Sequence, residues 1–210
     1  CPEQIRQSCG IDHKQHQSIM PIKTHKTPRW QRLLLAFFLL LAMVFFFRGW
    51  LYRQVVTYQT IGQRAGYSVN DQKLINYIDD SLSGKKEMDV RSIMQLSLSI
   101  TAQQLKFTAD RNDIDPNKLM YSKTAHCVGY AAFYASTCNY LFQKFSLQDT
   151  WIAKHQIGQL NLFGNNIHHY INTPFFKDHD FVTVEHRITG EVFAVDPSLF
   201  DYFWIDFVTY

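Results

Sequence analysis

The stretch KTAHCVGYAAFYASTCNYLF, residues 123–142, decides the fold of this 210-residue chain. From Val128 onward its apolar residues recur at the spacing of an α-helix, and Ser122 or Thr124 could cap that helix. Cys127 is therefore predicted in the first helical turn, where backbone N–H groups and the helix dipole favour a thiolate. The same N–H groups suit the negative oxygen of a tetrahedral intermediate.

A second stretch, HDFVTVEHRITGEVFAVDPS at residues 179–198, predicts a β-hairpin. His179–His186 and Glu191–Asp196 have strand character, and the four residues between them contain the Gly of a turn. A loop of that length pairs His186 with Glu191.

The hairpin register brings two polar side chains together. Counting back from the loop, Phe181 pairs with Asp196, so His179 and Asp196 become diagonal neighbours on one face. A slip of one residue would separate them. An Asp beside a His can hold its tautomer and stabilise its charged form, and a Cys at a helix start supplies the nucleophile. The catalytic candidates are Cys127, His179 and Asp196.

Together with the strand-like TWIAKH at residues 150–155, these segments resemble the core of the transglutaminase-like superfamily of cysteine enzymes, over roughly residues 88–198. The resemblance implies an α+β fold of the papain-like type, with the helix-start Cys packed on an antiparallel sheet. It matches Cys127 to the nucleophile, His179 to the base and Asp196 to the orienting acid.

Three further residues are candidates for substrate or oxyanion contacts. The residue before the Cys is commonly small in that family and is His126 here, and the aromatic two places after the His is commonly Trp and is Phe181 here. Some related enzymes place an amide upstream of the Cys, which points to Gln104 near the end of a predicted helix.

The resemblance implies action on a peptide or carboxamide bond, by hydrolysis or acyl transfer, with a protein or peptide substrate and no cofactor. The alternative is a catalytically silent domain of the same fold that serves as a scaffold or binding module in a membrane complex. A lone helical Cys is more often a packed core residue, as predicted for Cys138.

A metal site is the rival chemistry, but the donor spacing does not match the usual zinc patterns, so no metal is predicted. The donors considered are His126, Cys127, His155, His168, His169 and His179.

Leu33–Phe47 is an unbroken apolar run of fifteen residues, and residues 33–52 are predicted to form one transmembrane helix. Trp30 and Trp50 suit the two membrane interfaces. No small-residue cleavage pattern follows Phe47, so an uncleaved signal anchor is expected rather than a cleaved signal peptide.

Basic residues before this run, namely Lys23, Lys26, Arg29 and Arg32, predict a cytoplasmic N-terminus and an extracytoplasmic C-terminal domain. Three regions follow: a basic segment at residues 1–32, the anchor at 33–52 and the transglutaminase-like domain at 53–210. Met20 is expected to be the natural start. The net charge of +3 is mild and unclustered, which argues against nucleic acid as a partner.

The remaining predictions are coarser. The sequence between the anchor and the catalytic half is expected to be helical, with helices over Asp71–Leu82, capped by Asn70, and Glu87–Phe107 before a polar break. Residues 160–176 suggest an irregular insertion that borders the cleft, and residues 199–208 a final strand.

Overall fold

A computed structural model describes residues 28–170 and 177–210. The chain divides into two compact units, residues 1–40 and 41–210. Helix α1 (Arg29–Val55) has 27 residues, none of them buried, and is long and apolar enough to cross a membrane. At 1.5 Å per residue it is about 40 Å long. The prediction of an apolar helix of spanning length over residues 33–52 is confirmed.

The second unit alternates strands and helices. After α1 the order is β1 (Val56–Gln63), α2 (Gln72–Asp80), α3 (Val90–Gln104), β2 (Lys106–Phe107), α4 (Pro116–Ser122), β3 (Thr124–Ala125), α5 (Cys127–Lys144), β4 (Trp151–Leu162), β5 (Asn165–Asn166), a 3-10 turn (Ile167–Tyr170), β6 (His179–His186), β7 (Val192–Val195) and α6 (Pro197–Phe203).

Within the described part of the chain, five strands form one antiparallel sheet in the order β1–β4–β6–β7, with β5 paired to β4. The α+β class and the antiparallel sheet are therefore as predicted. Strands β2 and β3 form a separate two-residue parallel pair that leads directly into α5.

Helix α5 lies at the centre of the core. It packs against the strands β4 and β6 and against helix α3. Four of its aromatic side chains are fully buried, namely Tyr130, Phe133, Tyr134 and Phe142. Each buried Phe contributes about 1.5–3 kcal/mol through burial, so α5 is held firmly in the core and the position of its first residue, Cys127, is fixed.

Strand β1 corrects the expectation that the segment after the anchor is helical. Val56 and Tyr58 are buried while Thr57 and Gln59 are exposed, which is the two-residue alternation of a strand. The prediction overlooked this alternation. Pairing of β1 with β4 then adds an edge to the sheet beside the site.

The predicted helices over 71–82 and 87–107 exist in shorter form as α2 and α3. Their N-caps are Asp71, in place of Asn70, and Asp89, whose carboxylates accept backbone N–H groups of the first turn. Helix α4 begins at Pro116, the last residue of the expected polar break of residues 110–116; Pro116 occupies its first turn, where proline is favoured.

The predicted final strand at residues 199–208 is wrong at its start. Asp196 accepts hydrogen bonds from the Ser198 and Leu199 amides, and Pro197 takes the first helical position, so a helix begins where the strand was expected. Extended pairing returns only at Val208, which bridges Ala194 of β7.

The expected irregular insertion at 160–176 is partly regular. Strand β4 continues to Leu162, and β5 and the 3-10 turn follow it. Residues 171–176 of that prediction lie outside the described residues.

Candidate active site

Cys127 is the first residue of α5, as predicted, and it is partly exposed. The capping residue is His126, whose Nδ1 accepts the Val128 N–H at 3.3 Å. The prediction of Ser122 or Thr124 as the cap is wrong, because Ser122 ends α4 and Thr124 belongs to β3. The thiol thus lies at the junction between a short strand pair and a buried helix.

His179 and Asp196 lie together as the hairpin register requires. The structure pairs Val182 with Val195 and Glu185 with Val192, which is the predicted register. His179 Nε2 lies 2.7 Å from Asp196 Oδ2, with the imidazole about one-fifth exposed and the carboxylate 3% exposed. A buried carboxylate therefore holds a histidine that remains open to the cleft.

The Cys127 thiol completes the group. The Cys127 thiol interacts with the His179 and His126 side chains and with the backbone N–H of Asp180, and all three favour its ionised form. Since Nε2 of His179 is engaged with Asp196, Nδ1 is the ring nitrogen left for the sulfur. The structure thus brings all three predicted catalytic residues into one contact chain.

The electrostatics favour a thiolate and an imidazolium. Burial alone would raise the pKa of the Cys127 thiol, but the contacts with His126, His179 and the Asp180 N–H outweigh it and lower that pKa to about 6. Burial would lower the pKa of His179, yet the Asp196 and Cys127 charges raise it well above its ordinary value. Burial would raise the pKa of Asp196, which the His179 charge and hydrogen bonds lower to about 2.

Tyr58 on β1 is a site residue that sequence reasoning missed. Its hydroxyl donates to Asp196 Oδ2 at 2.8 Å and lies 2.8 Å from the Tyr52 hydroxyl. Burial and the Asp196 charge raise the pKa of Tyr58 well above its usual value, so it stays a neutral donor. The strand alternation around Tyr58 was the only signal in the sequence that could have predicted its burial.

A second missed group lies behind the thiol. The Asp180 side chain is fully buried between Arg64, at 2.5 Å and 3.2 Å, and His155, at 2.6 Å. Burial would raise the pKa of Asp180, but its contacts with His155 and Arg64 lower it. Because the Asp180 backbone N–H interacts with the Cys127 thiol, this buried group holds a donor of the site in place.

The other candidates occupy different environments. Gln104 is buried and its Nε2 donates to the Met120 carbonyl at 2.9 Å. Phe181 is fully buried and packs edge-on against Tyr58, with ring centroids 5.1 Å apart. The His126 side chain lowers the pKa of the Cys127 thiol. The oxyanion role of Gln104 and the substrate role of Phe181 remain predictions.

A cavity of about 470 Å³ opens beside the triad. Cys127, His179 and Asp196 border it together with Tyr52 and Tyr58. Its other described lining residues are mostly apolar or aromatic, namely Phe107, Leu160, Ile167, Leu199, Tyr202 and Phe203, and the polar ones are His168, Asp178 and Ser198. Among residues 28–170 and 177–210, no cluster of His, Cys, Asp and Glu side chains has the arrangement to hold a metal ion.

The fold and site define an α+β protein with a Cys–His–Asp group at the start of its central helix. Comparisons of the chain with protein-family models, with curated proteins and with solved structures gave no match. The functional inference therefore depends on the geometry of the site.

Proposed function

We propose that this protein is a membrane-anchored thiol enzyme with a transglutaminase-like core, which acts on a peptide or carboxamide bond. The observation that carries the proposal is the contact chain from Cys127 through His179 to Asp196, with a thiol pKa of about 6. A structural cysteine needs neither feature. Cys138 of the same helix is the counterexample, because burial raises its pKa to about 12.

The reaction begins with the thiolate of Cys127 attacking the carbonyl carbon, which forms the C–S bond and a tetrahedral oxyanion. His179, as imidazolium, gives its proton to the leaving nitrogen, the C–N bond breaks, and an acyl thioester remains on Cys127. His179 then takes a proton from water or an amine, which attacks the thioester. The acyl group leaves and the thiolate is regenerated.

Asp196 keeps the imidazole oriented and stabilises its charge throughout. Tyr58 and the α6 amides hold that carboxylate in turn. Helix α1 is proposed as the anchor, with residues 1–32 in the cytoplasm and residues 53–210 outside it.

The test is to trap the acyl enzyme. Full-length protein in detergent is incubated with a library of peptide amides, quenched in acid and analysed by mass spectrometry for an acyl group on Cys127. Wild type is expected to carry the adduct, whereas Cys127→Ser carries no thioester. His179→Ala should slow alkylation of Cys127 at pH 7 at least about tenfold, because the thiol pKa returns towards its ordinary value.

Equal and slow alkylation of Cys127 and Cys138, with no adduct, would overturn the enzyme proposal and favour the silent scaffold domain.

A further inference from the structure

The residues that line the cavity beside Cys127 indicate which class of substrate the proposed enzyme would bind. The polar groups at the triad are already engaged with one another: Tyr52 with Tyr58, Tyr58 with Asp196, and Ser198 with Asp196. Two further polar side chains, His168 and Asp178, line the cavity among mostly apolar neighbours. A peptide backbone would need partners for its N–H and C=O groups along such a wall. Leu160, which also lines the cavity, offers hydrocarbon only.

The shape and size of this space fit a flexible apolar group. Its volume of about 470 Å³ lies within the range of small-molecule sites, which bury most of a ligand of that size. Leu160, Ile167 and Leu199 line it, and the sulfur of Cys127 stands at its border. A carbonyl at that sulfur would have its attached chain among these residues.

The rim of the cavity is aromatic and exposed. Tyr202 and Phe203 line the cavity yet are 55% and 58% exposed, and Trp204 beside them is 61% exposed. Solvent-facing aromatic side chains in a row are unusual on a soluble surface and are typical of the interface between a bilayer and water.

That rim continues into the last part of the apolar helix. Arg48 Nε donates to the Phe203 carbonyl at 2.5 Å, and its guanidinium lies 5.7 Å from the Trp204 ring. Tyr52, one turn further along α1, itself borders the cavity. These residues belong to the unit of residues 41–210. Where α1 leaves a membrane, the rim would lie at the level of the lipid head groups. The position of the aromatic rim therefore indicates that it contacts a bilayer.

We propose that the substrate is a long-chain N-acyl amide drawn from the bilayer, whose acyl chain fills this cavity while its carbonyl meets Cys127. The inference rests on the proposed function and narrows its substrate. Cys127 sulfur displaces the amine, which leaves with the proton from His179, and water then releases the fatty acid. The C–N bond is exchanged for C–S and then for C–O, with no redox change.

The test uses electrophiles that differ only in chain length. Full-length protein in lipid nanodiscs is treated with N-ethyl, N-butyl, N-hexyl and N-octyl chloroacetamide; the sulfur of Cys127 forms the C–S bond and chloride leaves. The second-order rate constant is expected to rise about threefold to fourfold per added methylene, the worth of burying one CH₂, until the chain fills the cavity.

Two variants sharpen the result. Leu160→Gln places an amide in the cavity wall and should flatten the dependence on chain length, whereas Ile188→Ser, at a hairpin-turn residue that is 81% exposed, should keep the wild-type dependence. Iodoacetamide, which has no chain, reports whether the thiol of each variant is reactive.

Fast reaction with iodoacetamide but equal rate constants across the series would overturn the acyl-chain site and leave the proposed function standing. No reaction of Cys127 with iodoacetamide would overturn the proposed function itself.

Discussion

At the scale of single residues, Asp196 connects the chemistry to the fold. One carboxylate oxygen accepts from His179 and Tyr58, and the other accepts the Ser198 and Leu199 amides that begin α6. A carboxylate with so many donors stays ionised, which agrees with its pKa of about 2. The negative charge on Asp196 raises the pKa of His179, and the charged imidazole in turn lowers the pKa of the Cys127 thiol.

The pH dependence of alkylation follows from that ion pair. With a pKa of about 6, the Cys127 thiolate is present above pH 6 and is lost as the pH falls through that value. The iodoacetamide rate at Cys127, followed by peptide mapping from pH 4.5 to 8.5, should be half-maximal near pH 6.

Cys138 is the internal control, because its pKa of about 12 keeps it a thiol over that whole interval. A Cys127 rate that still rises about tenfold per pH unit between pH 7 and 8.5 would contradict the lowered pKa.

At the scale of elements, β1 and β4 support the two strands that carry the site. Strand β1 brings Tyr58 to Asp196, and β4 pairs with β6 so that Gly158 lies opposite His179. The ring of Phe181 lies over Gly158, and a Cβ there would come within 2.5 Å of Phe181 Cε1. Both contacts are testable through stability.

Tyr58→Phe removes a donor from a buried carboxylate. We expect the free energy of unfolding to fall by about 1.5–3 kcal/mol, the contribution of a hydrogen bond to a charged group. Urea denaturation followed by fluorescence measures it. Tyr121→Phe is the matched control, since that hydroxyl donates to Asp71 at the surface and Tyr121 is 58% exposed. Equal effects of the two variants would show that the Tyr58 contact adds nothing.

Gly158→Ala should destabilise the protein by about 1–3 kcal/mol, because the added methyl displaces the buried Phe181 ring. The same urea titration measures the loss. Gly62→Ala on β1 is the control: its Cβ would meet Ile157 Cδ1 at 3.4 Å, an ordinary contact. A Gly158→Ala protein as stable as the Gly62→Ala protein would refute this account of the close packing.

At the scale of the whole molecule, the C-terminal segment holds the end of α1. Arg53 Nη1 donates to the Phe207 carbonyl at 3.3 Å, and Thr209 Oγ1 donates to the Arg53 carbonyl at 2.9 Å. Within residues 41–210 the helix end is thus part of the folded domain.

The anchor proposal predicts that the full-length protein stays in the membrane fraction after an alkaline wash. Leu40→Arg should impair insertion, because a charge at the centre of such a helix costs about 2.5–3.5 kcal/mol. Ile188→Arg, in the exposed hairpin turn, is the control and should insert normally. Protease added to spheroplasts should degrade the region after residue 52 and spare an N-terminal tag; the reverse pattern would refute the proposed orientation.

Local patterns by themselves determined the helix start at Cys127, the hairpin register and the apolar helix. A period of two residues with a short loop leaves one register that buries the right face, and an unbroken apolar run allows few alternatives. These are properties of neighbouring residues. They were sufficient to place His179 beside Asp196 before the fold was known.

Only the tertiary structure decided what surrounds those residues. Tyr58 is 138 residues from Asp196 along the chain, and Arg64 is 116 residues from Asp180. Helix α6 also replaced an expected strand, because Asp196 caps this helix with one carboxylate oxygen while its other oxygen is hydrogen-bonded to His179. Which distant side chain fills a buried position depends on how whole elements pack, and no periodicity in the sequence records that packing.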